Sequence, residues 1–374
     1  MTVADKLELW RRYFALARIP EQHQPQIVGA LLSHLLPTGP YPVIVLNGEK
    51  GSAKSTTSDL LQNPVDPTRA KRRAMPDKEE DLIVAAKHSH VMSFDNLSGM
   101  SWKRSDLLCR IATGSTDGRR EFYTREDENL TTLLRPLIIN GIPDLATRGV
   151  LLDRAIVVTL PVIPPEERRT EEEIHCEAAD LYPKILGILC DGIHAYLRNG
   201  PAVLPDKPRL ADYFRMAEAA IAACGYPAGS VIGAYRATQD EIELDNLQKT
   251  ATYRALCKRI KAGNCWEGGL GQLLDELRML VHSADLRHLP DTPNGMETWI
   301  RRNGTALRLA GITANRHGKH KRTHQPWKIE READLEETED VGQNPPKAQA
   351  RPAPFLPASK EEVARFAELL NLPA

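Results

Sequence analysis

Tyr41-Pro-Val-Ile-Val-Leu46-Asn47-Gly48-Glu49-Lys50-Gly51-Ser52-Ala53-Lys54-Ser55 is the stretch that sets the fold class. Its first half is a short apolar run, β-branched in part, of the kind a buried parallel strand shows. Its second half follows the pattern G-x-x-x-x-G-K-[ST]. In that pattern backbone N–H groups cradle phosphates, the lysine reaches the β- and γ-phosphates, and the hydroxyl binds Mg²⁺. Gly48, Gly51, Lys54 and Ser55 fit it, while Ala53 stands where the second signature glycine belongs. One added methyl is accommodated there if the residue keeps a negative φ. The plainer alternative is a Gly/Ser-rich turn that happens to contain a lysine. A strand before the loop and a helix after it, expected from Thr56 to Leu61, separate the two readings. Residues 48–56 are thus the expected ATP-binding segment.

Outward from this loop, strand and helix patterns alternate. Residues 5–19 and 25–36 read as short amphipathic helices parted by Pro20 and Pro25. The apolar runs His90–Phe94, Leu137–Ile139 and Ala155–Leu160 are further core strands, which predicts an α/β fold with a mainly parallel sheet. Asp95 ends the first of these runs and is placed to hold Mg²⁺ through water; an aspartate there also suits a turn cap. The next residue, where a glutamate is usual, is Asn96, so the water-activating base is left unassigned. Asn140 ends the second run, either to orient attacking water or as a turn-forming Asn-Gly. Arg148 and Arg154 precede the third. An arginine presented to a neighbouring subunit's γ-phosphate stabilises transition-state charge, whereas either arginine alone reads as a solvated charge or an ion pair with Asp153.

With these elements in order, the chain resembles AAA+ ATPases of the superfamily 3 helicase type, in particular helicase-like ATPases of phage, plasmid and integrated-element replication proteins. The resemblance spans residues 5–235 and rests on LNGEKGSAKS, FDNLSG, LCRIATG and RPLIINGIPDLATRGVLLDRAIVVTLP. It implies a P-loop AAA+ core with a helical lid. Lys54 and Ser55 become Walker A, Asp95 Walker B and Asn140 sensor 1, with Arg154 as arginine finger and Arg148 second. It also implies ring assembly, usually hexameric, with ATP between subunits. Between Asp95 and Asn140, Thr113-Gly-Ser-Thr-Asp-Gly118-Arg119-Arg120-Glu-Phe-Tyr123-Thr suggests a hairpin tip. In such helicases a hairpin there grips DNA in the ring channel, and arginines suit phosphates. A solvated loop or a contact with the adjacent subunit is the alternative.

Residues 265–330 read as a winged helix. Leu270–Val281 is one helix, Gly295–Ala310 a second ending at Gly311, and ITANRHGKHKRTHQPWKIE two strands around a basic turn. From Glu297 to Lys328 there are eight Lys/Arg against one acid. A recognition helix and a basic wing grip phosphates, which makes Arg301, Arg302, Lys319, Lys321 and Arg322 candidate DNA contacts. A charged face for acidic protein surfaces is the rival. His317, His320 and His324 lack a carboxylate or cysteine partner and form a poor metal cage.

A chain of 374 residues implies two or three domains. The expected divisions are N-terminal helices at 1–38, the ATPase core at 39–165, a helical lid at 166–238 and a winged-helix-like α+β module at 239–331. A flexible linker with a terminal helix at 332–374 follows, acidic first and then rich in Pro, Ala and Gln. Six scattered cysteines with no C-x-x-C argue against a disulfide scaffold and fit a reducing cytosol. No signal peptide is visible, and no run approaches the ~18–20 apolar residues of a membrane span, so a cytoplasmic protein without a membrane partner is expected. The net charge of −1 points to no partner, whereas its uneven distribution does.

The function expected from these readings is a Mg²⁺-dependent ATPase that forms a homo-oligomeric ring and translocates on, or unwinds, single-stranded or forked DNA in a mobile element's replication. No primase-type domain is visible, so priming would come from a separate primase. The first alternative is an ATP-switched DNA-binding loader, transposition or defence factor with slow hydrolysis, which Asn96 favours. The second is a protein that binds ATP only for assembly.

Overall fold

The computed structural model describes residues 1–68, 71–97, 99–120, 128–141, 149–261, 263–317 and 326–332. Two compact units divide the chain after Arg236. The first contains α1 (Val3–Leu16), α2 (Gln24–His34), β1 (Val43–Asn47), α3 (Lys54–Gln62), α4 (Glu79–Lys87), β2 (Met92–Leu97) and α5 (Trp102–Thr113). It continues with β3 (Ser115–Arg120), β4 (Glu128–Leu133), β5 (Leu137–Gly141), α6 (Gly149–Leu152), β6 (Ala155–Thr159), α7 (Glu171–Asn199) and α8 (Ala211–Ile221). α9 (Ser230–Gln248) begins in this unit and ends in the second.

β1, β2, β5 and β6 form a parallel sheet in the order β2-β5-β1-β6. β1 and β5 are buried almost throughout, which is why they read as continuous apolar runs rather than alternating ones. Thr2 and Asp5 close a reciprocal capping box at the start of α1, and Pro25 occupies the first turn of α2. α1 buries Trp10, Tyr13 and Phe14 in a core that also holds Leu31 of α2, Leu60 of α3, Ile44 of β1 and Ile188 of α7. Residues 1–38, 39–165 and 166–238, set apart in the sequence by element type, therefore contribute to one core. β3 and β4 form the expected hairpin, with Arg119 opposite Asn129 and Arg120 opposite Glu128. Both arginines thus belong to strand β3 rather than to a tip, and residues 121–127 lie outside the described residues.

The second unit, Ala237–Ala350, holds α10 (Ala251–Arg259), β7 (Cys265–Gly268), α11 (Leu270–Leu280), α12 (Pro293–Arg302), α13 (Gly304–Leu309), β8 (Ile312–Arg316) and β9 (Trp327–Arg331). Its sheet is antiparallel in the order β7-β9-β8 and covers a core of Leu256, Leu273, Leu277, Met296 and Ile329. The single helix expected over 295–310 is instead two, broken at Asn303 (φ −101°, ψ 15°) before Gly304. An Asn-Gly pair is a poor helix interior. The Asn303 side chain donates to the Trp299 carbonyl at 2.8 Å, turning the chain there. No described helix is long and apolar enough to cross a membrane. The tail from 333 lies outside the described residues.

One buried group in α2 makes stability pH-dependent. His34 is fully buried, and neither ring nitrogen has a hydrogen-bond partner among the described residues. Burial, reinforced by nearby His90, pushes its pKa down to about 3. It stays neutral in the folded chain but takes a proton in the unfolded chain below about pH 6.5. The unfolded state then binds more protons, so stability is full above that pH and falls as the pH drops below it. The loss is about 2 kcal/mol between pH 7 and pH 5. His34→Leu is expected to reduce the loss of urea-unfolding free energy between pH 7 and pH 5 by that amount, and an unchanged loss would contradict it.

Candidate functional site

The loop 48–53 leaves the C-terminal end of β1, a central strand, and leads directly into α3. That end of a parallel sheet is where open α/β folds place ligands. A Cβ on Gly48 would collide with Ser52 Oγ and lie 3.1 Å from the Leu160 carbonyl, so only glycine fits. Gly51 has φ 90°. Ser52 is buried and its hydroxyl donates to the Glu49 carbonyl at 2.9 Å, closing the loop on itself.

Ala53 does not keep the negative φ anticipated for it. It caps α3 in the left-handed conformation, at φ 57° and ψ 29°. A left-handed alanine costs roughly 1–2 kcal/mol relative to glycine. The loop path demands the glycine geometry even though this chain has a methyl there. Lys54 folds back over the loop, with Nζ donating to the Gly48 and Glu49 carbonyls, each at 2.8 Å.

Ser55 Oγ donates to Asp95 Oδ1 at 2.9 Å. These hard oxygens come from the first turn of α3 and from β2, and their pairing suits a small divalent cation. Asp95 lies inside β2 rather than at its end, beside a register shift between Phe94 and Leu97. Asn96 has φ 57° at that irregularity, and its N–H donates to Asn140 Oδ1 at 2.9 Å. The other end of the Asn140 amide donates to Ser58 Oγ at 2.9 Å, and Asn140 is only 1% exposed. The side chain expected to orient water is thus engaged at both ends, tying β2 and β5 to α3.

Several residues that sequence patterning passed over adjoin the loop. Asp59, 1% exposed in α3, pairs with Arg72 at 3.1 Å and faces His175 at 3.8 Å. Burial pushes its carboxyl above the usual range, with Arg72, Lys71 and His175 pulling it back. Arg72 also reaches Glu171 at the start of α7. A cavity of about 480 Å³ opens beside Gly51 and Ala53. Ala15 and Leu16 of α1 and Ile163 and Ile174 give it apolar walls, and Arg168 lines it too. An atom in the place of a Gly51 Cβ would sit 3.4 Å from Arg168 Nη2. The run EERRTEEE signalled only a charged lead-in to a helix.

Arg154 sits at the opposite end of the strands, just before β6, the neighbour of β1. Its carbonyl accepts from Val43 N–H at 2.9 Å, and the register pairs Val43 with Ala155 and Asn47 with Thr159. It is therefore one full strand length away from the loop of its own chain. Arg148 lies outside the described residues.

In the second unit, α12, α13 and β8 expose Thr298, Arg301, Arg302, Thr305, Arg308 and Asn315. Glu297 is the acid of this face, pairing with Arg301 at 2.6 Å and with Arg316 at 2.6 Å. Those guanidinium bonds hold its carboxyl below the usual range, Arg316 most strongly. The Arg316 guanidinium also stacks over the Trp327 ring at 5.6 Å. Lys319, Lys321 and Arg322, with His320 and His324, lie outside the described residues. Among the described residues no cluster of His, Cys, Asp and Glu is able to hold a metal.

Two family models match this chain. One, described as actinomycete integrative conjugative element replication protein, covers residues 14–245, more than half of the chain. The other, described as the AICE RepA C-terminal domain, covers residues 253–345. No curated protein matches. Among solved structures the chain is similar to the A form apo structure of the NrS-1 C-terminal region. The identity is 12% over 87% of this chain and 76% of that one, with a TM-score of 0.38. A second structure of the same region is 10% identical over 87% of this chain and 75% of that one, with a TM-score of 0.32.

Proposed function

The chain belongs to the actinomycete integrative conjugative element replication protein family, and from that premise we propose that it is a Mg²⁺-dependent ATPase that assembles as a ring and moves along or unwinds DNA when the element replicates. The observation that carries this reading is the Ser55 Oγ–Asp95 Oδ1 pair at 2.9 Å, directly after a Gly48–Lys54 loop. Bound Mg²⁺ would neutralise phosphate charge between those two oxygens. Lys54 would leave the loop carbonyls for the β- and γ-phosphates, and the loop N–H groups would hold the phosphate chain. The apolar walls at Ala15, Leu16, Ile163 and Ile174 suit a nucleoside base. On this reading residues 1–236 are an AAA+ core with its lid, and the helix and strand order of the second unit is that of a winged helix.

The test is ATP turnover with and without single-stranded DNA, run beside strand displacement on a forked duplex. Turnover stimulated by DNA, together with displacement, supports the helicase. Turnover without displacement supports a second reading, an ATP-switched loader. One observation favours that second reading: Asn96 stands in the usual base position, with its backbone N–H bound to Asn140. Absence of turnover and of nucleotide binding removes both.

The second unit would supply sequence-independent DNA affinity through Arg301, Arg302 and Arg308, and Glu297 restrains the first of these. Glu297→Gln is expected to release Arg301 and Arg316, raising affinity for duplex DNA about tenfold and steepening its salt dependence by one to two ion equivalents, about one for each arginine released. Fluorescence anisotropy across a salt series measures this. Unchanged affinity would place the DNA contacts elsewhere.

A further inference from the structure

β2 is an edge strand of the four-stranded parallel sheet, and the chain ahead of α4 returns alongside it. Arg73 bridges Phe94 in parallel; its N–H donates to the Ser93 carbonyl at 2.9 Å, and its own carbonyl accepts from Asp95 N–H at 3.0 Å. Side chains alternate along such a segment. Arg72 is held by Asp59 and Glu171, whereas half-buried Arg73 pairs with no carboxylate among the described residues. A cavity of about 450 Å³ opens at this point, lined by Arg72, Arg73, Arg104, Asp95 and Asn96. Among the described residues the Arg104 guanidinium pairs with Asp77 at 2.5 Å, a carboxylate 95% exposed, and such surface pairs are weak. Two wall residues, Arg72 at φ 28° and Asn96 at φ 57°, carry left-handed backbones, and strain of that kind clusters where a ligand is held.

We propose that this cavity is an anion site for the terminal phosphate of the bound nucleotide, with Arg73 as its direct contact. The proposal rests on the ATPase reading above and adds a residue to it. A half-buried guanidinium without a carboxylate partner calls for an anion, and its planar fork matches phosphate oxygens. Asp95 in the same wall repels a bare anion, so the site selects a phosphate that arrives with a divalent cation. The terminal phosphate of Mg·ATP arrives with the cation chelated to it, whereas a DNA phosphodiester holds its counterions as a diffuse atmosphere. In hydrolysis the water oxygen bonds to the terminal phosphorus while the bridging P–O bond breaks, its electron pair leaving with ADP. One proton passes to solvent, and orthophosphate remains against Arg73 until it is released.

The experiment compares Arg73→Ala and Arg73→Lys with the unaltered chain, using displacement of a fluorescent nucleotide by ATP and by ADP in Mg²⁺, and turnover. Arg73→Ala is expected to weaken ATP about tenfold and leave ADP affinity unchanged, since ADP lacks the contacted phosphate. Turnover falls about a hundredfold, and Arg73→Lys restores part of the ATP preference. An unchanged ATP:ADP ratio in Arg73→Ala overturns the proposal, as does an equal loss of both nucleotides, which marks a structural role. An unaltered chain that binds neither nucleotide overturns the ATPase reading itself.

Discussion

Lys54→Ala is expected to weaken ATP binding at least a hundredfold, about 2.7 kcal/mol, and to abolish turnover. Nζ is held by the Gly48 and Glu49 carbonyls at 2.8 Å each, so the ammonium sits over the mouth of the loop. On the proposed reading, phosphates entering the loop would meet a positive charge that two neutral carbonyls hold among the described residues, and a charge-assisted contact with phosphate is the stronger one. Removing it would take one of the positive charges away from the phosphates and leave more of their charge to the loop N–H groups. The same two bonds brace the loop, and their loss costs about 1–3 kcal/mol locally. The core of α1, α2, β1 and α7 does not depend on them, so the variant is expected to fold. Titration with a fluorescent ATP analogue, alongside a thermal melt, separates the two effects. Micromolar affinity retained in a folded variant would remove this loop as the nucleotide site.

Much of the first unit was legible because parallel strands buried on both faces announce themselves as unbroken apolar runs. β1, β5 and β6 fall where those runs are, and α3 follows the loop as the G-x-x-x-x-G-K-[ST] pattern requires. Ser55 and Asp95, forty positions apart, meet at 2.9 Å as the spacing of loop and strand suggested. Conformation at single residues was less legible. Alanine at 53 argued for a negative φ, but the path from Ser52 into α3 imposes the left-handed region whatever side chain stands there. Asn140 and Ser58 lie 82 positions apart, and no local pattern links an amide on a strand end to a hydroxyl in the second turn of a helix. Arg72 and Asp59 are hidden for the same reason, since thirteen positions separate them and no local pattern links them. Their pairing exists only because the segment at 71–73 adds itself to the edge of β2. The break at Asn303 was signalled by Asn-Gly, but the amphipathic spacing on both sides concealed it.

Arg154→Ala is expected to leave ATP binding intact and to lower turnover about a thousandfold or more. The sheet register is what makes this specific. Val43 aligns with Ala155 and Asn47 with Thr159, so Arg154 stands at the start of β6 while the phosphate loop follows the end of β1. Five strand residues at about 3.3 Å each separate the two by roughly 15 Å along the sheet, beyond the reach of an arginine side chain. On the ring reading proposed above, any part it takes in hydrolysis would therefore be played on a neighbouring subunit's nucleotide. That geometry predicts complementation. Subunits carrying Lys54→Ala keep Arg154, and subunits carrying Arg154→Ala keep Lys54. In a mixed ring, some interfaces pair an intact loop with an intact arginine. Mixing two inactive variants should then restore a fraction of the turnover, rising and falling with their ratio, while neither regains it alone. Full activity of Arg154→Ala would pass the role to Arg148. Failure of the mixture to recover, with both variants folded and ATP still bound by Arg154→Ala, would leave the arginine with a role inside its own subunit and remove the argument for a shared site.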